Sequence, residues 1–210
     1  MPDVQQMKRP RKERKENAER RRRQLLDAAR RSILTHGLAK TTLATVADEA
    51  GLSQGVAVFY FKSKSGLLTE TLRDLYAGYE GLWTRALAGA GEDPVSQLHA
   101  LLRADFDEEA CGPTVLPLWF AFWGELRFTE TYAQVAGNFD AVRRVALSAI
   151  WRRVLPETTE EEAEQIADWM DTLTDGYWQR LHLAPDSYDR EDAYRATLEC
   201  LARLYPELRG

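Results

Sequence analysis

Cysteine is nearly absent: Cys111 and Cys200 are the two in 210 residues. They lie far apart and share no metal-ligand spacing. The sequence therefore predicts two reduced thiols, no metal and no cofactor, as in a cytoplasmic protein. No run of about 18 uncharged apolar residues occurs, which leaves no candidate for a membrane span. The basic N-terminus lacks the apolar core of a secretory signal, so export is not expected. Convincing strands and internal repeats are also lacking. His99 and His182 have no nucleophile or metal-ligand neighbourhood. An enzyme built on them, or on Asp105, Asp107 and Glu108, has a thin case, because scattered acids are ordinarily solvated helix faces. No catalytic residue is predicted.

What the chain has is an uneven charge. Residues 1–64 carry 15 Lys and Arg against 7 Asp and Glu, while the remainder carries 13 against 26. The net charge of -5 hides this division. A basic N-terminal third on an acidic body points to one end that meets a polyanion. Residues 1–19 are polar and contain Lys8, Arg9, Arg11, Lys12, Arg14 and Lys15. They read as a basic disordered arm, either touching DNA or merely solubilising the chain. Arg20 to His36 reads as the first helix, with Leu25, Leu26, Ala29, Ile33 and Leu34 on one face and Gly37 as its stop. Arg20 to Arg23 then stand at its start, where the helix dipole disfavours them unless an anion is near.

Residues 41–66, TTLATVADEAGLSQGVAVFYFKSKSG, read as two short helices joined by a glycine turn. Thr41 or Thr42 caps the first, Gly51 supplies the left-handed turn, and Ser53 caps the second, from Gln54 to Phe61. This is a helix-turn-helix, whose second helix can lie in the major groove of double-stranded DNA. The gapless run through Ala50-Gly51-Leu52-Ser53, Gly55, Phe59-Tyr60-Phe61 and Lys62 to Leu68 closely resembles the DNA-binding signature of TetR-family regulators.

The resemblance implies that Tyr60 and Lys64 touch phosphate. The chemistry of the side chains adds Thr41, Thr42, Ser53 and Lys62 as phosphate candidates, since neutralising phosphates releases counterions. Gln54 reads bases, Val56 and Ala57 can meet a thymine methyl, Gly55 allows close approach, and Phe59 either projects to the groove or packs inward. Many family members carry tyrosine where this chain has Val58, so one polar contact is missing here. Phe61 reads as a core plug. The family acts as dimers on operators of two-fold symmetry, so a homodimer is expected. Trp169, Leu173, Leu198, Leu201 and Leu204 on the last two helices are candidate interface residues, or intrachain core.

The rest of the chain reads as further helices. They span about Lys64 or Ser65 to Gly89, Pro94 to Glu109, Thr114 to Phe128, Thr129 to Val154, Thr158 or Thr159 onward past Leu181, and Arg190 to Tyr205. That makes an all-α chain of about nine helices. The expected parts are an arm (1–19), a DNA-binding domain (20–66) and a ligand-binding and dimerisation domain (67–210). The segments Ala104 to Glu108, Trp119 to Trp123 and Leu173 to Arg180 resemble those of BetI-type repressors, which respond to choline and control betaine synthesis. That resemblance implies a small-molecule effector of the quaternary ammonium class. Such a cation has no N–H donors and is best held over aromatic faces beside a carboxylate. Phe106, Trp119, Trp123, Tyr177 and Trp178 are candidate faces. Glu125, with Asp105, Asp171 and Asp175, is a candidate charge. Each of these aromatics has core packing as its competing reading. The function expected is a repressor released from its operator by such a ligand. The alternatives are an effector-independent or activating regulator, and a small helical enzyme.

Overall fold

The computed structural model describes residues 11–208. Among the described residues there are ten α-helices, a closing 3-10 turn (Pro206–Leu208) and no strand. The chain divides into two compact units, Met1–Thr71 and Leu72–Gly210. The boundary falls five residues beyond the one expected at 66, because the first two turns of α4 (Lys64–Gly89) belong with the first unit.

The first unit contains α1 (Arg11–Lys40), α2 (Leu43–Glu49) and α3 (Gln54–Phe61). The arm expected over 1–19 is helical from Arg11, nine residues before the expected start; its first ten residues, with Lys8 and Arg9, lie outside the described residues. Charged straight-chain residues lose little freedom in a helix, and Lys15 pairs with Glu19 one turn on at 3.7 Å. Arg20 to Arg23 are consequently interior to α1, and the dipole penalty foreseen for them does not arise. Arg23 instead pairs with Asp27 at 2.7 Å, and Arg22 with Glu70. Gly37 breaks the helical geometry at φ 77, as a glycine stop should, but the chain resumes a helical turn to Lys40. Gly51, at φ 62, turns the chain from α2 to α3. The core joins Leu25, Leu26 and Ala29 of α1 to Val46 and Ala47 of α2, Ala57 and Phe61 of α3, and Leu67. Each fully buried large aliphatic or Phe side chain there contributes about 1.5–3 kcal/mol.

The second unit holds the rest of α4 with α5 (Pro94–Asp105), α6 (Glu108–Cys111), α7 (Leu116–Trp123), α8 (Glu130–Val154), α9 (Glu160–Leu183) and α10 (Arg190–Leu204). The helix expected over 94–109 is two. Phe106 ends α5, and the Asp107 carboxylate accepts from the Glu109 amide at 2.8 Å, capping a new start. That split accounts for the tenth helix. The helix expected over 114–128 is shorter, closing at Trp123 before Gly124. Thr159 and Glu162 form a reciprocal capping box that fixes the start of α9. Its long pairing with α8 buries Leu147, Trp151, Ile166 and Met170. No helix among the described residues is long and apolar enough to cross a membrane.

Candidate DNA-reading face and ligand cavity

In the first unit, α2 is held at its start by a reciprocal box. The Thr42 hydroxyl accepts from the Thr45 amide at 3.1 Å, and the Thr45 hydroxyl accepts from the Thr42 amide at 2.9 Å. Thr41 is fully buried. Its hydroxyl donates to the Gly37 carbonyl at 3.0 Å and so accepts from the Ser32 hydroxyl at 3.1 Å. It fastens the end of α1, which removes it from the phosphate candidates. Ser53 occupies the N-cap of α3, yet its hydroxyl makes no cap bond and stays exposed.

Ser53, Gln54 and Gly55 are exposed at the start of α3 and Val56 is half-buried against the core, while Ala57 is fully buried within it and so cannot meet a base. Phe59 is 68 % exposed, which no packing role explains, with Val58 beside it at 40 %. Tyr60 is half-buried, with its ring edge-on to Phe59 at 5.1 Å. Lys62, at φ 65, folds its ammonium back to donate to the Phe59 carbonyl at 2.8 Å and lies 5.3 Å from that ring. Lys64 donates to the Ala39 carbonyl. Gly66 is required by packing: a Cβ there would stand 2.2 Å from the Phe61 carbonyl oxygen.

In the second unit, a cavity of about 390 Å³ opens among α4, α7, α8 and α9. Of the nine aromatic and acidic candidates, five line it, Trp119, Trp123 and Trp178 with Asp171 and Asp175. Trp123 and Trp178 are nearly parallel at 6.1 Å, and Trp119 lies 5.9 and 6.0 Å from them. The indole N–H of Trp119 donates to the Ala110 carbonyl at 3.1 Å, and that of Trp178 to the Asp105 carbonyl at 2.9 Å. The polar edges of both rings are thus tied to backbone, which fixes the rings in place. Phe106 is instead buried core, edge-on to Tyr177 and Tyr194. Glu125 is exposed outside the cavity, and Tyr177 faces a different groove.

The cavity also takes Tyr76 and Tyr79 from α4, Asp140, Arg143 and Arg144 from α8, and Asp168, Asp171 and Asp175 from α9. Of these, Asp171 and Asp175 are the two that the sequence pointed to. Tyr76 and Tyr79 are three apart on one helix, and Asp140, Arg143 and Arg144 three and four apart on another. That spacing was the available signal. Beneath them, Arg143 donates to both oxygens of the buried Asp105 at 2.9 and 2.8 Å and to Asp171 at 3.1 Å. Tyr79 donates to Asp105 at 2.6 Å.

Burial and the neighbouring Asp171, Asp105 and Asp140 push the Asp175 carboxyl up to about 7, against the pull of Arg143. Asp140 is raised to about 6, by burial first and then by Asp171. Asp105 is raised to about 6 by burial, although Arg143 pulls it down. The arginine itself is held firmly charged by Asp105.

A third feature is a surface groove of about 450 Å³ between α9 and α10. It is lined by Trp169, Leu173, Tyr177, Leu201 and Leu204 among others. Trp169 is 51 % and Leu204 61 % exposed, whereas Leu201 is buried and Leu198 half-buried outside the groove.

Residues 25–71 match the family described as bacterial regulatory proteins of the tetR family. Residues 94–206 match the C-terminal domain of BetI-type transcriptional repressors. An HTH-type transcriptional regulator BetI of Burkholderia mallei is 33 % identical over 184 residues, which is 88 % of this chain and 93 % of the relative. Among solved structures, a Pseudomonas aeruginosa protein described as a transcriptional regulator superposes with a TM-score of 0.81 at 24 % identity, covering 90 % of this chain and 91 % of the other. A Saccharomonospora viridis regulator solved in complex with choline superposes at 0.73 with 17 % identity, covering 86 % and 95 %. Likeness at these identities speaks for the fold, and the longer sequence matches speak for descent. With a helix-turn-helix in its first unit and an all-helical second unit, this chain belongs to the TetR family of transcriptional regulators and carries the C-terminal domain of the BetI type.

Proposed function

We propose that this protein is a homodimeric repressor that leaves its operator when a quaternary ammonium compound of the choline type enters the cavity between α4, α7, α8 and α9. The observation that carries this reading is the meeting of three tryptophans with Asp171 and Asp175 in one cavity. Aromatic faces attract a cation that cannot donate a hydrogen bond, and carboxylates add long-range attraction. The choline found in the Saccharomonospora viridis regulator supports the same chemistry.

DNA contact falls to α3 and its flanks. Gln54, Val56 and Phe59 read bases, Gly55 permits close approach, and Thr42, Ser53, Tyr60 and Lys64 meet the backbone. Lys62 and Lys64 exchange their internal carbonyl acceptors for phosphate oxygens on docking. Trp169, Leu173 and Leu204 form the dimer contact, with the buried Leu201 packed beneath them. The ligand shifts operator affinity only by its difference in affinity between the two conformers, and α4 is the continuous element that transmits it.

The test is a titration of operator-bound protein with choline, read by fluorescence anisotropy, alongside calorimetry on the free protein. Choline should bind, and it should lower operator affinity. Choline that binds without changing operator affinity defeats the repressor-release reading. Absence of binding by choline and by tetramethylammonium alike defeats the cavity assignment.

A further inference from the structure

The cavity holds more negative charge than one cation offsets. Asp140, Asp168, Asp171 and Asp175 line it, and Asp105 lies directly behind. Facing these five carboxylates are two guanidinium groups, Arg143 and Arg144. Arg143 commits two of its nitrogens, one to both oxygens of Asp105 and another to Asp171, while its third is buried with no hydrogen-bond partner among the described residues. Arg144 counters Asp140. Carboxyls outnumber guanidinium groups by three, and Asp140 and Asp175, raised first by desolvation and then by Asp171, stand to ionise fully once a cation arrives.

The charge is also layered. Trp119, Trp178, Tyr76 and Arg143 are buried and make the floor. Asp140, Arg144, Asp168 and Asp175 keep solvent-exposed surface and make the rim, although neighbouring atoms crowd the Asp140 and Asp175 carboxyls enough to raise them. An aromatic floor suits a methylated ammonium head, whereas an acidic rim suits a second positive charge further along the molecule. Size points the same way. A cavity of about 390 Å³ lies within the ordinary range for pockets that take ligands larger than choline.

We infer that the preferred effector of this site is an elongated dication, with a quaternary ammonium head over the tryptophan floor and a second cationic group at the Asp140–Asp168–Asp175 rim. This rests on the cationic reading of the cavity proposed above and narrows it to a ligand class. Choline then occupies the floor alone and leaves the rim unneutralised.

The experiment is calorimetry on the full-length protein at low ionic strength, comparing choline and tetramethylammonium with α,ω-bis(trimethylammonio)alkanes from propane to decane. The best member of the series should bind on the order of tenfold tighter than choline, from one added charge pair in a partly screened site. Its advantage should shrink as salt is raised. In the Asp140→Asn/Asp175→Asn variant, shown folded by its thermal transition, the ratio of the two affinities should fall to about twofold or less. Choline binding with no gain for any dication overturns this inference and leaves the monocation reading standing. A dication advantage untouched in the double variant overturns the rim assignment. Failure of choline and the whole series to bind overturns both.

Discussion

One nitrogen of Arg143 on α8 bridges both carboxylate oxygens of Asp105 at the end of α5, at 2.9 and 2.8 Å, with the two residues 7 % and 0 % exposed in their side chains. Tyr79 of α4 and Asp171 of α9 complete the cluster, so four helices meet at one buried pair. Removing Asp105 leaves the buried Arg143 with only Asp171, itself 35 % exposed, to offset its charge. Asp105→Ala should therefore cost about 3–5 kcal/mol of stability. A double change to apolar residues, Asp105→Leu with Arg143→Met, should cost less than the single one despite losing the whole pair. Chemical denaturation of the two variants beside the parent protein measures this. Equal losses for the single and double variants would mean that packing, not charge, sets the penalty.

Gly66 offers a simpler test in the first unit. A methyl group there meets the Phe61 carbonyl oxygen, a backbone atom that cannot swing aside. Gly66→Ala should destabilise the unit by about 1–3 kcal/mol, as overpacking does. Gly78→Ala, at a helical position with open space around the missing Cβ, is the control and should be neutral or slightly stabilising. Thermal melts of the two variants separate a steric need for glycine from a general sensitivity of α4.

Much of this was legible before any coordinates, and what was not has physical causes. The α2–turn–α3 unit was readable because capping threonines, Gly51 and the apolar stripe are local signals in one continuous run. The start of α1 was missed because a charged, apolar-poor segment looks unstructured by composition, although Lys and Glu spaced four apart also favour helix. Thr41 was misassigned because sequence shows a hydroxyl near a helix start but not whether it points inward. In the cavity, Trp119 and Trp178 announced themselves by size. Asp140 and Arg143 did not, because charges on an amphipathic helix read as solvated until a neighbouring helix closes over them. Phe106 and Tyr177 failed as cavity candidates for the converse reason: an aromatic's side of a helix bundle depends on tertiary placement.

The α9–α10 groove gives opposite expectations for neighbouring residues. Trp169 and Leu204 are more than half exposed, so Trp169→Arg with Leu204→Glu should leave the monomer folded but prevent association. Leu201 is 3 % exposed, so Leu201→Ala should instead lower thermal stability, by about 2–5 kcal/mol in the manner of core truncations. Light scattering reads the first effect and unfolding the second. A double variant that stays dimeric moves the interface elsewhere.

On DNA, side chains that meet phosphate and those that read bases leave different signatures. Lys64→Ala should weaken every operator sequence alike and reduce the slope of log affinity against log salt by about one. Gln54→Ala should change preference at particular base pairs, with about 1–3 kcal/mol lost at the preferred one. Phe59→Ala should resemble Gln54→Ala if its exposed ring reaches the groove. Binding-site selection with each purified variant separates the two classes, and uniform loss for Gln54→Ala removes it from the base readers.

The carboxyl cluster makes the cavity sensitive to pH near neutrality, and the sign can be worked out. Asp175 is raised from 3.8 to about 7, and Asp140 to about 6. A bound cation favours the ionised carboxylates, so binding should release protons. Cation affinity should rise from pH 5.5 to 7.5 and level off above that, as both groups become fully charged. Folding responds in the opposite sense. A carboxyl with a folded pKa above its unfolded value contributes stability that is fully present below about 3.8, and loses it as pH climbs through 6 to 7. Asp175→Asn should therefore stabilise the ligand-free protein at pH 8, more than at pH 5, while weakening cation binding at pH 8. Calorimetry in buffers of different ionisation enthalpy counts the protons, and thermal melts across the same range read the stability. Affinity that does not change between pH 5.5 and 7.5 would mean that the cation never approaches Asp140 or Asp175.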